Sequence, residues 1–269
     1  IEPGAAGRGG GIFNSGRLTI TQSAIVANVA GSSGTITGYR TVRCANGGNG
    51  GGLYNQGSLF AANSTIADNR APDGGSVFAL HISGVPGNGG SGGGIVDNGD
   101  ARLDNVTLMG NSVGCGGTAT TEIYTRTGAD GVGGGVLAYA TGDVTARNTI
   151  LAGNRAALTA NECTGTLHSL GFNLVQGIDG CTITGSVESN LVGLDPGLGP
   201  LGLYSSTTPL HYAPYIGPAV DRGDCIDTSG TPVAVDQGGT VRPQLAGCDI
   251  GAAEATVPAH LGFLPIVGK

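Results

Sequence analysis

A repeat of about forty residues constrains the fold of this chain more than any other feature of its sequence. A glycine triplet followed by an aliphatic residue occurs four times, and the triplets begin at Gly9, Gly50, Gly92 and Gly133. The spacing between successive starts is therefore almost constant. Self-similarity at a fixed period is typical of solenoids, in which each repeat packs only on its neighbours.

Each repeat reads as a short strand, a turn and a second short strand. Leu18 and Ile20 are two residues apart, as expected of a strand with one face inward, and Ile25 follows in the second strand. Abundant glycine, asparagine and β-branched residues disfavour helix, and the absence of tryptophan disfavours a WD40-type propeller. We therefore predict an all-β fold, a right-handed parallel β-helix (a solenoid) with coils of roughly twenty residues.

The rest of the chain divides around this repeat. The variable stretches 31–49, 72–91 and 113–132 are either additional coils or excursions from one face, and their composition favours partial coils with loops. We predict a parallel β-helix over residues 1–200. A loop-rich, disulfide-stapled C-terminal region at 201–254 packs on it, and an apolar tail follows at 255–269.

Two rows of amide side chains recur at fixed positions of the repeat. One row precedes the second strand and the other follows it; they comprise Gln22, Asn63, Asn105 and Asn148, and Asn28, Asn69, Asn111 and Asn154. Stacked amides can hydrogen-bond along the axis, as in cross-β stacks. A binding site is the alternative for both rows, but repetition in every coil favours two structural ladders.

Composition excludes several classes of protein. A hydrophobic fraction of 39% with 12% charged residues is not that of a disordered chain. The net charge of −7 and a single lysine, Lys269, argue against nucleic acid or an anionic membrane surface as a partner. No run of about eighteen apolar residues occurs, so we expect no membrane span.

Six cysteines without a CxxC pair indicate disulfides rather than zinc, and an oxidising compartment outside the cytoplasm. We predict that Cys163 pairs with Cys181 and Cys225 with Cys248, because each pair is close in sequence and closes a local loop. The remaining pair, Cys44 with Cys115, is then predicted by elimination. We predict no cofactor-binding and no metal-binding residue.

Catalysis by a β-helix on carbohydrate needs a base with a cation, or two facing carboxylates. The best such cluster is Asp104, if it faces outward with Arg102 or Arg147 nearby, and a non-catalytic role is the stronger interpretation. Asp97 shares its repeat position with Asn14 and Asn55, which predicts a ladder member or turn cap. We therefore predict no catalytic residue. The close acids Asp221, Asp224 and Asp227 are interpreted as turn caps.

Motifs in both halves carry a family resemblance. They are the GGGI-x-N-x-G coils, GFNLV, Asp195-Pro196, Pro218-Ala219-Val220-Asp221, Asp236-Gln237-Gly238, Arg242-Pro243 and Cys248-Asp249-Ile250-Gly251. Over residues 9 to about 254 the chain resembles secreted bacterial β-helix proteins of the choice-of-anchor Q type, related in their repeats to polymorphic outer-membrane proteins. The resemblance implies an extracellular, commonly surface-attached β-helix without established enzymatic activity. It departs at Gly239, where DQRG is common in the family.

These patterns predict a non-catalytic structural protein at or outside the cell surface. Its expected partners are copies of itself, stacked head to tail into a filament or surface layer, and cell-surface glycans. The tail residues Phe263, Leu264, Pro265, Ile266 and Val267 add a strand to a neighbour or pack on their own domain. The alternatives are a polysaccharide lyase or hydrolase and a glycan-binding adhesin.

Overall fold

The computed structural model describes residues 4–38, 42–79, 83–157, 159–204, 206–214 and 216–256. Regular secondary structure in these ranges consists of β-strands, and most of them pair in parallel, which confirms the all-β class. The predicted assembly tail Phe263–Val267 lies outside the described residues.

The strands follow the repeats. The first repeat contains β1 (Ile12–Asn14), β2 (Arg17–Thr21), β3 (Ala24–Val26), β4 (Ile36–Gly38) and β5 (Val42–Arg43). The second contains β6 (Leu53–Asn55), β7 (Ser58–Ala67), β8 (Val77–Ala79) and β9 (Gly84–Val85). The third contains β10 (Ile95–Asp97), β11 (Asp100–Met109), β12 (Thr118–Thr120) and β13 (Thr125–Thr127).

The fourth repeat contains β14 (Val136–Ala138), β15 (Asp143–Arg147), β16 (Ile150–Ala152), β17 (Arg155–Ala156) and β18 (Thr159–Ala160). Beyond it lie β19 (Cys163–Leu170), β20 (Leu174–Val175), β21 (Cys181–Ser186), β22 (Leu191–Val192), β23 (Leu201–Gly202) and β24 (Leu210–His211).

Equivalent strands of successive repeats stack in parallel register. Ile12 pairs with Leu53, Leu53 with Ile95 and Ile95 with Val136. The longer strands behave alike, since β7 pairs with β2 and β3 on one side and with β11 on the other. One turn of the stack therefore spans one full sequence repeat, and the expected coil of about half that length is wrong for these repeats.

The turn is long because each variable stretch is an excursion within it. An outgoing limb carries β4, β8 and β12, which stack in parallel, and a returning limb carries β5 and β9. Hydrogen bonds join the two limbs, as from Gly48 N–H to Gly31 O and from Gly87 N–H to Gly75 O, both 2.9 Å. Glycine is required because a Cβ at Gly87 would lie 1.9 Å from a carbonyl oxygen.

Stacking continues after the triplets end, with shorter turns. A small hairpin of β17 and β18 replaces the excursion, and Ile150 pairs with Leu174 after little more than half a repeat. Leu174 then pairs with Leu191, and this turn is shorter still. The sequence repeat stops near Ala156 because the excursion is lost, while the strand column continues.

The core is a column of stacked aliphatic side chains on the inner faces of these strands. Leu53, Ile66, Ile95, Leu103 and Leu108 are completely buried. Full burial of each such side chain stabilises the fold by about 1.5–3 kcal/mol. The described strands are too short to bury these residues alone, so burial depends on stacking.

The C-terminal region lies across one outer face of the stack. Thr65 Oγ1 donates to Gln237 Oε1 at 2.6 Å, and Ala252 N–H donates to Thr107 Oγ1 at 3.0 Å. Ile250 packs in the cluster that contains Ile150 and Leu174. The region therefore contacts several turns along the axis.

A buried ion pair organises this region. Arg242 Nη1 lies 3.0 Å from Glu254 Oε2, and both side chains are almost fully buried. The same guanidinium donates to the carbonyls of Asp249 and Gly251, and Asp249 Oδ2 accepts from Ala255 N–H. The residues that carry the family resemblance here hold the C-terminal region together.

Two of the three predicted disulfides are present, Cys163–Cys181 and Cys225–Cys248, with Cα–Cα distances of 5.1 and 5.4 Å. The pairing of Cys44 with Cys115 is wrong, since both are free. Cys44 N–H donates to Val85 O, whereas Cys115 O accepts from Gly74 N–H. The second repeat separates them by about two strand spacings, or about 9.6 Å, beyond the reach of a disulfide.

We expect two free thiols per chain, one of them fast to react. Cys115 is exposed, whereas partial burial raises the pKa of the Cys44 thiol and so lowers the fraction present as the reactive thiolate. A chromogenic disulfide reagent should titrate one thiol rapidly in the native protein and two in denaturant. Absence of titratable thiol in non-reduced, denatured protein would contradict the free state.

Candidate functional site

A continuous amide ladder runs along the axis at the exit of the second strand. Asn28 Nδ2 donates to Asn69 Oδ1, Asn69 Nδ2 to Asn111 Oδ1, and Asn111 Nδ2 to Asn154 Oδ1, each at 2.9 Å. Each acceptor also receives the backbone N–H of the preceding asparagine at 2.9–3.0 Å. All these amides point the same way, so their dipoles add along the column.

A buried carboxylate terminates this ladder. Asn154 Nδ2 donates to Glu162 Oε2 at 2.6 Å, and Glu162 is completely buried. Burial raises the pKa of Glu162, while hydrogen bonds from Asn154 oppose the rise. Because the pKa rises overall, burial outweighs these hydrogen bonds, and the fold favours the neutral acid over the carboxylate. Glu162 lies outside the repeat phase, so no sequence signal identified it.

A second column follows the first strand and also ends in a carboxylate. Asn14 Nδ2 donates to Asn55 Oδ1 at 2.7 Å, and Asn55 Nδ2 donates to Asp97 Oδ1 at 2.6 Å. The ladder position predicted for Asp97 is confirmed. Asp97 is completely buried, and its Oδ2 has no hydrogen-bond partner. Burial raises the pKa of Asp97 to about 6.

The other predicted ladder is not formed. Gln22, Asn63, Asn105 and Asn148 occupy one corner of successive turns with φ values of 46°, 44°, 52° and 48°. In this left-handed conformation the first and last of these residues bend the chain between two strands, and the middle two bend it within β7 and β11. No hydrogen bond joins one of these four side chains to another among the described residues. They form a column of turn residues, which we call the corner row.

The outer members of the corner row bind the C-terminal region. Gln22 Nε2 donates to Asp236 O at 3.2 Å. Asn148 Nδ2 donates to Asp224 O at 2.6 Å, and Asn148 Oδ1 accepts Asp224 N–H at 2.7 Å. The middle members differ, because the Oδ1 atoms of Asn63 and Asn105 are buried without a partner.

A cavity of about 260 Å³ lies beside these two unpartnered amides. We call it the corner cavity; its lining comprises Phe60, Ala62, Asn63, Asp104, Asn105, Asp227 and residues 232–235. The sheet corner forms one wall and the loop after Asp227 forms the other. The cavity therefore exists because this loop arches over two turns without bonding to their corner amides.

Asp104 anchors that loop. Its carboxylate accepts from Thr228 N–H at 3.2 Å and Thr228 Oγ1 at 2.8 Å, and its side chain is completely buried. Burial raises the pKa of Asp104 to about 6, and the Thr228 bonds oppose the rise.

The Arg147 guanidinium pairs with Asp224 rather than with Asp104, and it donates to Leu170 O at 2.7 Å. Asp224 is thus an ion-pair partner, whereas Asp227 caps its turn through Ser229 N–H and Thr231 N–H.

An open groove of about 500 Å³ adjoins the corner cavity on the outer face of β2, β7, β11 and β15. Phe60 lines both spaces. Arg17, Arg102, Asp100 and Asp143 face this outer groove and are exposed. Arg17 registers with Ser58, Ser58 with Asp100 and Asp100 with Asp143, so this row runs from a cation through a hydroxyl to two adjacent carboxylates.

The first turn leaves one edge of the stack unpaired. Within the described ranges, β1 pairs only with β6, and β2 and β3 pair only with β7. Ile12 and Leu18 are half-buried, whereas their neighbours in the next turn, Leu53 and Leu59, are 0% and 3% exposed. At the opposite end β21 pairs only with β19, and β22 only with β20. No described donor reaches Asn28 Oδ1, the acceptor at the open end of the longer ladder.

Comparison with protein-family models, curated proteins and solved structures finds no match for this chain. In the part of the chain that the structure describes, no helix has the length and apolarity to cross a membrane. The same residues contain no group of three or more His, Cys, Asp and Glu side chains placed to hold a metal ion.

Proposed function

We propose that this chain is a non-catalytic extracellular structural protein, a right-handed parallel β-helix that assembles head to tail into a filament or surface layer. The unpaired edge of β1, β2 and β3 carries this proposal. Unpaired strand edges offer rows of backbone donors and acceptors to another chain. The family resemblance agrees with this role, as do two disulfides of the kind common in oxidising compartments.

The two ends of the stack suit each other as partners. Both expose an edge of parallel strands, so a second copy can continue the stack without reversing strand direction. The contact joins different surfaces of the two copies, and a heterologous contact that does not close produces an open filament. Burying the half-exposed Ile12 and Leu18 would add a hydrophobic contribution to the joint.

The free edge of β2 can be blocked at one residue. Gly16 O accepts from Ser58 N–H and Gln22 N–H donates to Ala62 O, so the even-numbered residues of this strand face β7. Backbone groups alternate between the two sides of a strand, which directs the N–H of Thr19 to the free edge. The Thr19 side chain is exposed.

Thr19→Pro is therefore expected to abolish assembly and leave the monomer folded. Proline removes the edge N–H, and edge strands tolerate it. Electron microscopy and sedimentation velocity measure the assembly, and circular dichroism the monomer. Thr19→Ser, which keeps the N–H, is the matched control and should assemble like the parent.

Monodisperse parent particles at all concentrations would contradict head-to-tail assembly. The non-catalytic part of the proposal has a separate test, in which the protein is incubated with acidic and neutral polysaccharides. Release of reducing or unsaturated ends, lost on changing Asp104 or Arg102, would establish the enzymatic alternative instead. Filaments that form without such release support the structural role.

A further inference from the structure

The four residues of the corner row differ in whether their side-chain amides have a hydrogen-bond partner. Gln22 and Asn148 have the same backbone conformation as Asn63 and Asn105, yet only the first two bond to the C-terminal region. Asn105 is 1% exposed, and a buried amide oxygen without a partner costs about 1–3 kcal/mol. The loop passes over both middle residues and leaves a space beside them. This combination indicates that the space takes a ligand.

We propose that the corner cavity binds one sugar ring of a neutral oligosaccharide, whose remaining units lie in the outer groove. The proposal is independent of head-to-tail assembly. Asn63 and Asn105 supply an amide each on neighbouring turns, and rotation about χ2 can turn either the oxygen or the nitrogen to the ligand. Sugar hydroxyls both donate and accept, so they satisfy either orientation.

The walls favour a sugar over a metal ion. Phe60 and Ala62 add apolar lining on the sheet wall that also carries Asn63. Val233 and Val235 add apolar lining on the loop wall. A sugar ring has an apolar face of C–H groups and a polar rim, and mostly apolar sites with a few placed polar groups are typical for such ligands. Calcium instead requires six to eight oxygens in a small shell, and a space of about 260 Å³ exceeds that need.

The outer groove favours a neutral chain. Its two arginines, Arg17 and Arg102, are balanced by Asp100 and Asp143. Asp227 at the corner cavity adds a further carboxylate. A polyuronate would meet these carboxylates at close range, and like charges repel. Phe60, half-buried between the two spaces, is placed to pack on a ring at the junction.

Asp104 is a positioning residue for this site. It is completely buried and bonds to Thr228, which holds the loop that forms the second wall. Asp104→Asn should therefore weaken binding less than loss of a corner amide. This substitution should also make the loop more mobile, which is measured as faster amide hydrogen exchange near Thr228.

Isothermal titration calorimetry tests the site with cello-, xylo-, manno- and malto-hexaose, and with oligogalacturonate as the acidic probe. At least one neutral probe should bind. Asn63→Gly and Phe60→Ala should each weaken it about tenfold, the effect of one lost hydrogen bond or ring contact. Glycine accepts the left-handed conformation at position 63 without strain.

Gln22→Gly is the matched control, because it lies in the same row outside the corner cavity and should leave affinity within about twofold. Melting temperatures of all variants separate lost binding from lost folding. Binding of oligogalacturonate alone would overturn the proposal, as would affinity that Asn63→Gly and Phe60→Ala leave unchanged. Absence of binding by all neutral probes at millimolar concentration would also overturn the proposal.

Discussion

Asn111→Ala is expected to lower the free energy of unfolding by about 4 kcal/mol, the sum of several buried hydrogen bonds lost together. Asn111 is completely buried, and its side chain makes four hydrogen bonds of 2.9–3.0 Å. Alanine leaves Asn69 N–H and Ile66 C=O without these partners. Domains are commonly stable by only about 5–15 kcal/mol, so much of the stability would be lost.

Asn28→Ala is the matched control at the end of the same ladder. Asn28 is half-buried, and Asn69 Oδ1 still receives the Asn28 backbone N–H after the change. A loss of about 1 kcal/mol is expected there. Urea unfolding monitored by circular dichroism measures both variants. Equal losses at the two positions would show that the ladder does not act through buried hydrogen bonds.

The repeat period predicted which residues stack but not which way their side chains point. The same period places Asn63 above Asn105 and Asn69 above Asn111, yet only the second pair is hydrogen-bonded. The sign of φ decides between them, because the corner row is left-handed. Asparagine is common in both roles, so residue type does not separate them.

Other features could not be predicted from the sequence because they depend on contacts between distant segments. The Cys44–Cys115 pairing rested on elimination, and nothing in the spacing revealed that the second repeat lies between them. The corner cavity forms where residues 227–235 cross the stack, far along the chain from Asp104, which bonds to Thr228. Such a crossing carries no periodic signal.

Asp97 marks a position where an asparagine would suit the fold better at neutral pH. Asn14 Nδ2 donates to Ser58 O at 3.1 Å, and Asn55 Nδ2 donates to Asp100 O at 3.0 Å. By repeat equivalence, Asp97 Oδ2 faces the carbonyl of Asp143, where the other two residues present a donor. An ionised oxygen there has no donor, and only a proton on Oδ2 restores one.

The raised pKa of Asp97 makes the fold less stable as pH rises. From its ordinary value of 3.8 the pKa rises to about 6 in the folded chain, so between these values the folded state holds a proton that the unfolded state has released. Stability is therefore full below about pH 4 and falls up to about pH 6, by about 3 kcal/mol for this group. The loss is complete about one pH unit above the folded pKa, and this contribution is constant beyond that point.

Asp97→Asn is accordingly expected to stabilise the protein by about 2–3 kcal/mol at pH 8 and to change it little at pH 4, because the amide donates at every pH. Urea unfolding at both pH values measures the difference. Asp104, whose pKa also rises to about 6, is present in both proteins, so subtracting the two profiles isolates Asp97. If the variant is instead less stable at pH 8, the Asp97 carboxylate has a donor at Oδ2, and the terminal position of this ladder is built to hold a charge.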